Sequence, residues 1–361
     1  MKKQPHRYMR KTAAGMVALS MLCAAAIPCV LAMPAGAASA SGDLNGDGSV
    51  TAADAAILQT ALLGSSKLTA QQYANADVTG DGAVNGLDLS RLRQMIATVP
   101  VSDAIAIHLS DSGITVEGDT KGVTAVSGKT VTISASGNYT VDGTITDGQI
   151  LVNVADPTAD SDAVSLYLQG VTMTSSTGAP CILGQSAGKL KLTCSGINTL
   201  TDTAAAVNAD TSGVIYGDCD ITVTKNSTGT LNITSSMNTA IRSKDDIKLN
   251  GGDISINTNV DATSDADAIR ANNTLEIDGA SVTVTSSADG LKSSKEDVSI
   301  LSGKVSIKAG NDAVQAATAL NISGGTVTAS GDRGFTLDEN GVLAITGGDV
   351  LATATDYAFG M

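Results

Sequence analysis

The chain has 361 residues and is acidic, with 22 Lys and Arg against 36 Asp and Glu and a net charge of −14. That balance disfavours nucleic acid and anionic membrane as partners. There is no Trp and there are only two Phe and two His; the core must be aliphatic, and neither an aromatic sugar-stacking platform nor a Ser-His-Asp triad or multi-His zinc site is provided for.

Residues 1–40 read as a secretory signal. Lys2, Lys3, Arg7, Arg10 and Lys11 form a basic start, an apolar run extends from Ala13 to Met33, and Ala35-Gly36-Ala37 and Ala38-Ser39-Ala40 both suit cleavage. The expectation is export to the extracellular space; the alternative is an uncleaved membrane anchor. The segment carries five of the 22 basic residues and no acidic one, so the remainder has a balance of −19. That charge suits a calcium-rich exterior, where bound cations offset carboxylates.

Two calcium-type loops follow, Asp43 to Asp54 and Asp77 to Asp88, 34 residues apart. A hard cation needs oxygen ligands at loop positions 1, 3, 5, 9 and 12, a carbonyl at 7 and Gly at 6. Those positions hold Asp43, Asn45, Asp47, Thr51 and Asp54 with the Ser49 carbonyl, then Asp77, Thr79, Asp81, Asn85 and Asp88 with the Ala83 carbonyl. Gly48 and Gly82 supply the sharp turn. Position 12 is Asp rather than the Glu of an EF-hand, and each loop runs into a helix (Ala52 to Leu63; Leu87 to Ile96) with no clear helix before it.

This pair of loops, each followed by one helix, resembles a type I dockerin over residues 42–98. The resemblance implies bound Ca2+ and docking to the cohesin module of a scaffoldin, hence a place on a cellulosome. It also implies cohesin contact through Ala52 and Ala53 in the first loop and Gly86 and Leu87 in the second. Many dockerins carry Ser-Thr there, and this pair is apolar and asymmetric. Plain helix-start packing is the competing reading of Ala52 and Leu87.

After a linker at 99–102, residues 103–149 read as short strands with Gly turns, such as Thr130 to Ile133 and Tyr139 to Val141, forming an opening coil or cap. From Ile241 onward a repeat is clear. Ile241, Ile269, Leu291, Val314 and Phe335 each open a unit; a second alternation begins at Ile247, Leu275, Val298, Leu320 and Leu343; a third begins seven residues later at Ile254, Val282, Val305, Val327 and Val350. Gly251-Gly252, Gly279, Gly303, Gly324-Gly325 and Gly347-Gly348 separate the second from the third. Period-two alternation marks strands with one buried face. Three strands per unit with Gly corners describe one coil of a solenoid, which buries its apolar face only when coils stack.

The expected fold is therefore mostly β, a right-handed parallel β-helix over 103–361 with a small α-helical calcium-loop module at 41–98. A β-sandwich or propeller is the runner-up, disfavoured because reversals would carry Asn-Gly or Asp-Gly pairs. Cys181, Cys194 and Cys219, the cysteines beyond the signal, are odd in number. Either Cys194 bridges Cys219 on a neighbouring coil, or all three are buried apolar residues.

Stacking aligns two columns. Arg242, Arg270 and Lys292 occupy the outward position of successive first strands. Asp267, Asp289 and Asp312 lie two residues before those strands, and Asp245, Asp246 and Asp297 add carboxylates at the next corner. Stacked carboxylates repel, so they either hold raised pKa values or take up a cation. One reading is a calcium-bearing, partly basic groove for an extended anionic polymer; the other is a self-neutralising surface of ion pairs.

Thr146 to Ile150, Gly170 to Gly178 and Ile241-Arg242-Ser243-Lys244-Asp245-Asp246-Ile247 with Gly251-Gly252 resemble the clostridial β-helix carbohydrate-binding family over 145–356. The resemblance implies binding of plant cell-wall polysaccharide, either cellulose or acid sugars such as polygalacturonate, with calcium at the corners. At Arg333-Gly334 the last coil departs from the Asp corner. Three classes stay open: a non-catalytic binding module, a calcium-dependent polysaccharide (pectate) lyase with Lys292 or Arg270 as base, and a structural or adhesive solenoid. A flat outer face offers little of the burial a lyase base needs, which favours binding.

Overall fold

The computed structural model describes residues 42–46, 50, 52–97, 104–206, 210–258 and 266–360. The expected signal segment and the 99–102 linker lie outside the described residues, as do Asp47, Ser49 and Thr51.

Three helices occupy 52–97: α1 (Ala52–Leu62), α2 (Ala70–Ala76) and α3 (Gly86–Ala97). The outer two match the expected helices. The seven-residue α2 was not expected; it is held by a capping box in which Thr69 Oγ1 accepts from Gln72 N and the Gln72 side chain accepts from Thr69 N. Leu44, Ala55, Leu58, Ala76 and Leu92 form a small buried core for this region.

From Ile105 to Gly360 the chain is a parallel β-solenoid of about eight turns. Each turn contributes to three parallel ladders, in the order of the three sequence alternations. The first ladder runs through Gly213–Gly217, Thr239–Ser243, Ile269–Ala271, Leu291–Ser293 and Asp312–Ala316 to Phe335 and Phe359. The second runs through Lys189–Ser195, Asp220–Val223 and Ile247–Leu249 to Val342–Ile345. The third runs through Ile197–Asp202, Thr230–Ser235 and Asp253–Thr258 to the start of Asp349–Gly360. The expected opening strands are present, with two antiparallel pairs beside them: Ile105–Leu109 with Thr115–Glu117, and Thr124–Ser127 with Thr130–Ile133. A sandwich or propeller is overturned by the parallel register of every later pair among the described residues.

Inward side chains stack in aliphatic columns. Ile215, Ile241, Ile269, Leu291, Val314 and Phe335 are consecutive register partners and fully buried. Burying each such side chain contributes about 1.5–3 kcal/mol. The corner between the second and third ladders is a glycine column: Gly252, Gly279, Gly303, Gly325 and Gly348 all have φ between 75° and 101°. A Cβ on Gly303 would lie 2.3 Å from the Ala280 carbonyl oxygen of the preceding coil, so coil spacing itself demands glycine there.

Cys181, Cys194 and Cys219 are free and buried, which settles their two readings in favour of apolar packing. Burial pushes each thiol up to about 12.

Candidate functional site

The second calcium-type loop curls around its own acidic residues. Asp77 Oδ1 accepts from the amides of Gly80 (2.8 Å) and Asp81 (3.1 Å), and Oδ2 from Gly82 (2.9 Å). Asp88 Oδ1 accepts from Thr79 N and Oγ1 at 3.1 and 2.8 Å, and Oδ2 from Asn85 N at 2.8 Å. Burial alone would raise the Asp88 carboxyl; the Asn85 and Thr79 hydrogen bonds outweigh it and hold it below the usual range. Asp77, Asp81 and Asp88 bring carboxylate oxygens within 4.8 Å of one another. Three convergent carboxylates fit a hard divalent cation.

The first loop repeats this bonding. Asp43 Oδ1 accepts from Gly46 N at 2.7 Å, as Asp77 does from Gly80, and Asp54 Oδ1 accepts from Asn45 N at 2.9 Å, as Asp88 does from Thr79. Asp43 and Asp54 are fully buried. Helix α2 clasps this loop: Asn75 Nδ2 donates to the Asp43 carbonyl at 2.5 Å and Gln72 Nε2 to the Leu44 carbonyl at 3.0 Å. The motif reading missed both residues, although Thr69-x-x-Gln72 is a legible capping signal. Of the expected cohesin-contacting positions, Ala52 and Ala53 open α1 and Gly86 and Leu87 open α3. Leu87 is 66% exposed, so helix-start packing does not account for it.

On the solenoid, Arg242, Arg270 and Lys292 are direct register partners on the outward side of the first ladder, continued by Gln315 and Thr336 and preceded by Tyr216. The aspartate column sits beside them and is almost sealed: Asp267, Asp289 and Asp312 are 2%, 3% and 1% exposed. Each is met by a cation. Arg270 Nη1 lies 3.5 Å from Asp267 Oδ2, Lys292 Nζ lies 2.8 Å from Asp289 Oδ2, and Arg333 Nη2 donates to Asp312 Oδ2 at 2.8 Å. Arg333, expected only as a break in the pattern, is the register partner of Asp312 and serves as its counter-ion. A coil-to-coil comparison of that column would have found it.

Electrostatics differ along the column. Asp289 Oδ1 also accepts from Asn311 Nδ2 (2.7 Å) and Asp312 N (3.0 Å). Asp267 Oδ2 has no hydrogen-bond donor among the described residues. Burial, with Asp289 adding to it against the pull of Lys292 and Arg270, pushes the Asp267 carboxyl up to about 7. Burial would lower Lys292, but Asp267 and Asp289 outweigh it and hold the ammonium charged.

At the next corner the carboxylates serve neighbouring coils. Asp245 Oδ1 accepts from Asn273 Nδ2 (2.7 Å), Asp246 Oδ1 from Thr274 N (3.0 Å), and Asp297 Oδ1 from Thr318 Oγ1. Among the described residues, the only group of three or more convergent carboxylates is the one in the second loop. The structure does not bring the six solenoid aspartates together in that way.

The outer face is not flat. Arg242, Ser243, Lys244, Arg270 and Asn272 line a pocket of about 250 Å³. Tyr216 is buried beside it, with the Arg242 guanidinium 6.0 Å and the Lys244 ammonium 5.7 Å from its ring centre, within cation–π range.

Fold and site together define a β-solenoid with a cation-lined outer ladder, preceded by paired calcium-type loops. The chain belongs to the carbohydrate-binding domain-containing protein family, whose model matches residues 127–358, and residues 41–97 match the type I dockerin domain. A carbohydrate-binding domain-containing protein of Acetivibrio thermocellus is 34% identical over 139 residues, covering 37% of this chain and 46% of the relative; the chain thus spans about half the relative's length. A solved structure of a polysaccharide lyase-like protein from C. thermocellum, a gadolinium derivative, is 26% identical with a TM-score of 0.55, covering 68% of this chain and all of that one. No helix among the described residues is long and apolar enough to cross a membrane.

Proposed function

We propose that this is a secreted, cellulosome-associated carbohydrate-binding protein. The dockerin, holding Ca2+ in its two loops, docks on a cohesin, and the solenoid binds an acidic plant cell-wall polysaccharide along its first ladder. The observation that carries the second half is the in-register pair Arg242 and Arg270 with Lys244 beside them in one pocket, which presents cations to a polymer on an otherwise acidic chain. Asp43, Asp54, Asp77, Asp81 and Asp88 would hold the dockerin cations; calcium supplies charge neutralisation that closes the loops. In the solenoid, Arg270, Lys292 and Arg333 already neutralise Asp267, Asp289 and Asp312, and we assign no calcium to that column. Asp245, Asp246 and Asp297 remain the solenoid carboxylates open to it.

The lyase alternative draws on the similarity to a polysaccharide lyase-like protein. A lyase needs a base at the sugar, and none of the row's own candidates serves: Lys292 is held protonated by Asp267 and Asp289, guanidiniums do not deprotonate, and Asp267 is sealed from solvent. Binding is therefore the reading adopted. Co-sedimentation of the full chain with insoluble polygalacturonate tests it, run at low and high salt. Retention that weakens as salt screens the row is expected; no retention at low salt contradicts the assignment.

A further inference from the structure

The three cations of the row are equivalent in register but not in charge balance. Asp267 and Asp289 lie two residues before the Arg270 and Lys292 strands and pair with them. The same position before Arg242 is Thr239. Arg242 therefore has no carboxylate partner among the described residues. Its Nη1 donates instead to Ser212 Oγ of the preceding coil, whereas Arg270 Nε donates to Ser294 Oγ of the following coil at 3.1 Å.

The two guanidiniums thus reach in opposite directions along the solenoid axis, and both line the 250 Å³ pocket. Its lining comes from two adjacent coils only, so it covers a short stretch of the ladder rather than its length. Lys244 adds a third cation, tied to Asp218 at 2.8 Å. Asn272 spends its Nδ2 on the Lys244 carbonyl at 3.1 Å, leaving Oδ1 to accept from a sugar hydroxyl.

We infer that this pocket is the anchoring subsite for a single sugar carboxylate, forked by Arg242 and flanked by Arg270 and Lys244, while Lys292 serves the fold. An unmatched, half-buried guanidinium is the group that binds a planar carboxylate in two parallel hydrogen bonds. The inference rests on the proposed binding of acidic polysaccharide and places its specificity at one end of the row.

The test uses the full chain, with Arg242→Gln, Arg242→Lys and Arg270→Gln variants, titrated with soluble polygalacturonate, its methyl ester and dextran sulfate. Arg242→Gln is expected to weaken polygalacturonate binding at least tenfold with little change in melting temperature, since no ion pair among the described residues is broken and only the Ser212 hydrogen bond and the Tyr216 ring contact are lost. Arg242→Lys keeps charge without the fork and should recover only part of the affinity. The methyl ester should bind weakly to all forms. Wild-type affinity in Arg242→Gln, with loss in Arg270→Gln, overturns the subsite and leaves the binding row standing. An equal fold-loss on dextran sulfate overturns the assignment to a carboxylate. A wild-type chain that binds no polygalacturonate overturns the proposed function as well.

Discussion

Arg242 and Arg270 are direct register partners on adjacent coils, yet among the described residues only Arg270 has a carboxylate partner, Asp267 at 3.5 Å. With Thr239 where the next coil has Asp267, Arg242 is left unpaired among the described residues, while Arg270 is paired and still lines the pocket. The row therefore grades from binding at Arg242 to structure at Lys292.

At the structural end, Lys292→Met leaves Asp289 buried without its cation. Breaking a buried pair this way costs about 3–5 kcal/mol, and thermal unfolding of the variant should shift down accordingly. Adding Asp289→Asn should recover much of the loss, because the unpaired charge is then gone. A Lys292→Met variant with a wild-type melting temperature would show the pair to be energetically idle.

The Asp267 carboxyl gives stability a pH signature. Its value is raised from 3.8 to about 7 in the folded chain, so between those pH values the native state keeps a proton that the unfolded state has released. Its contribution is full below the unfolded value and is lost as pH rises through 7, at up to about 1.4 kcal/mol per pH unit in between. Asp267→Asn removes this dependence; the variant should gain stability relative to wild type from pH 4 to 8. Parallel melting curves over that range would contradict the assignment.

The glycine corner is a steric requirement. Gly303→Ala meets the Ala280 carbonyl at 2.3 Å in a φ of 100°, whereas an alanine Cβ at Gly170 meets nothing within 4 Å. Strain at such a backbone position is of order 1–3 kcal/mol, and the clash adds to it only at Gly303. Denaturation midpoints should fall further for Gly303→Ala than for Gly170→Ala.

On the proposed loop assignment calcium should stabilise the dockerin by mass action, by about 2.7 kcal/mol at a hundredfold excess over its dissociation constant. Chelation should lower helical signal and abolish cohesin capture while leaving the β-sheet signal of the solenoid in place. Asp43→Ala with Asp77→Ala should reproduce the effect. Undiminished cohesin capture after either treatment contradicts the loop assignment.

Much of this architecture is legible in local pattern. The seven-residue spacing of the second and third alternations placed the ladders, and the outward position of each first strand put Arg242, Arg270 and Lys292 in one row. What local pattern does not carry is contact between coils. Arg333 looks like a break in the aspartate column until its register with Asp312 makes it the counter-ion. The pocket beside Arg242 depends on side chains reaching to Ser212 and Ser294, 30 residues before Arg242 and 24 after Arg270. Helix α2 is too short for periodicity to reveal, and only its capping box marks it. The antiparallel strands Thr115–Glu117 and Thr124–Ser127 bury little on either face, so they leave no clear alternation to read.

The most direct test of the central claim incubates the full chain with polygalacturonate and records bound protein and unsaturated product together. Retention without product is the predicted result, since Lys292 is held charged and Asp267 is sealed from solvent. Release of unsaturated product would make the protein a lyase and contradict the account.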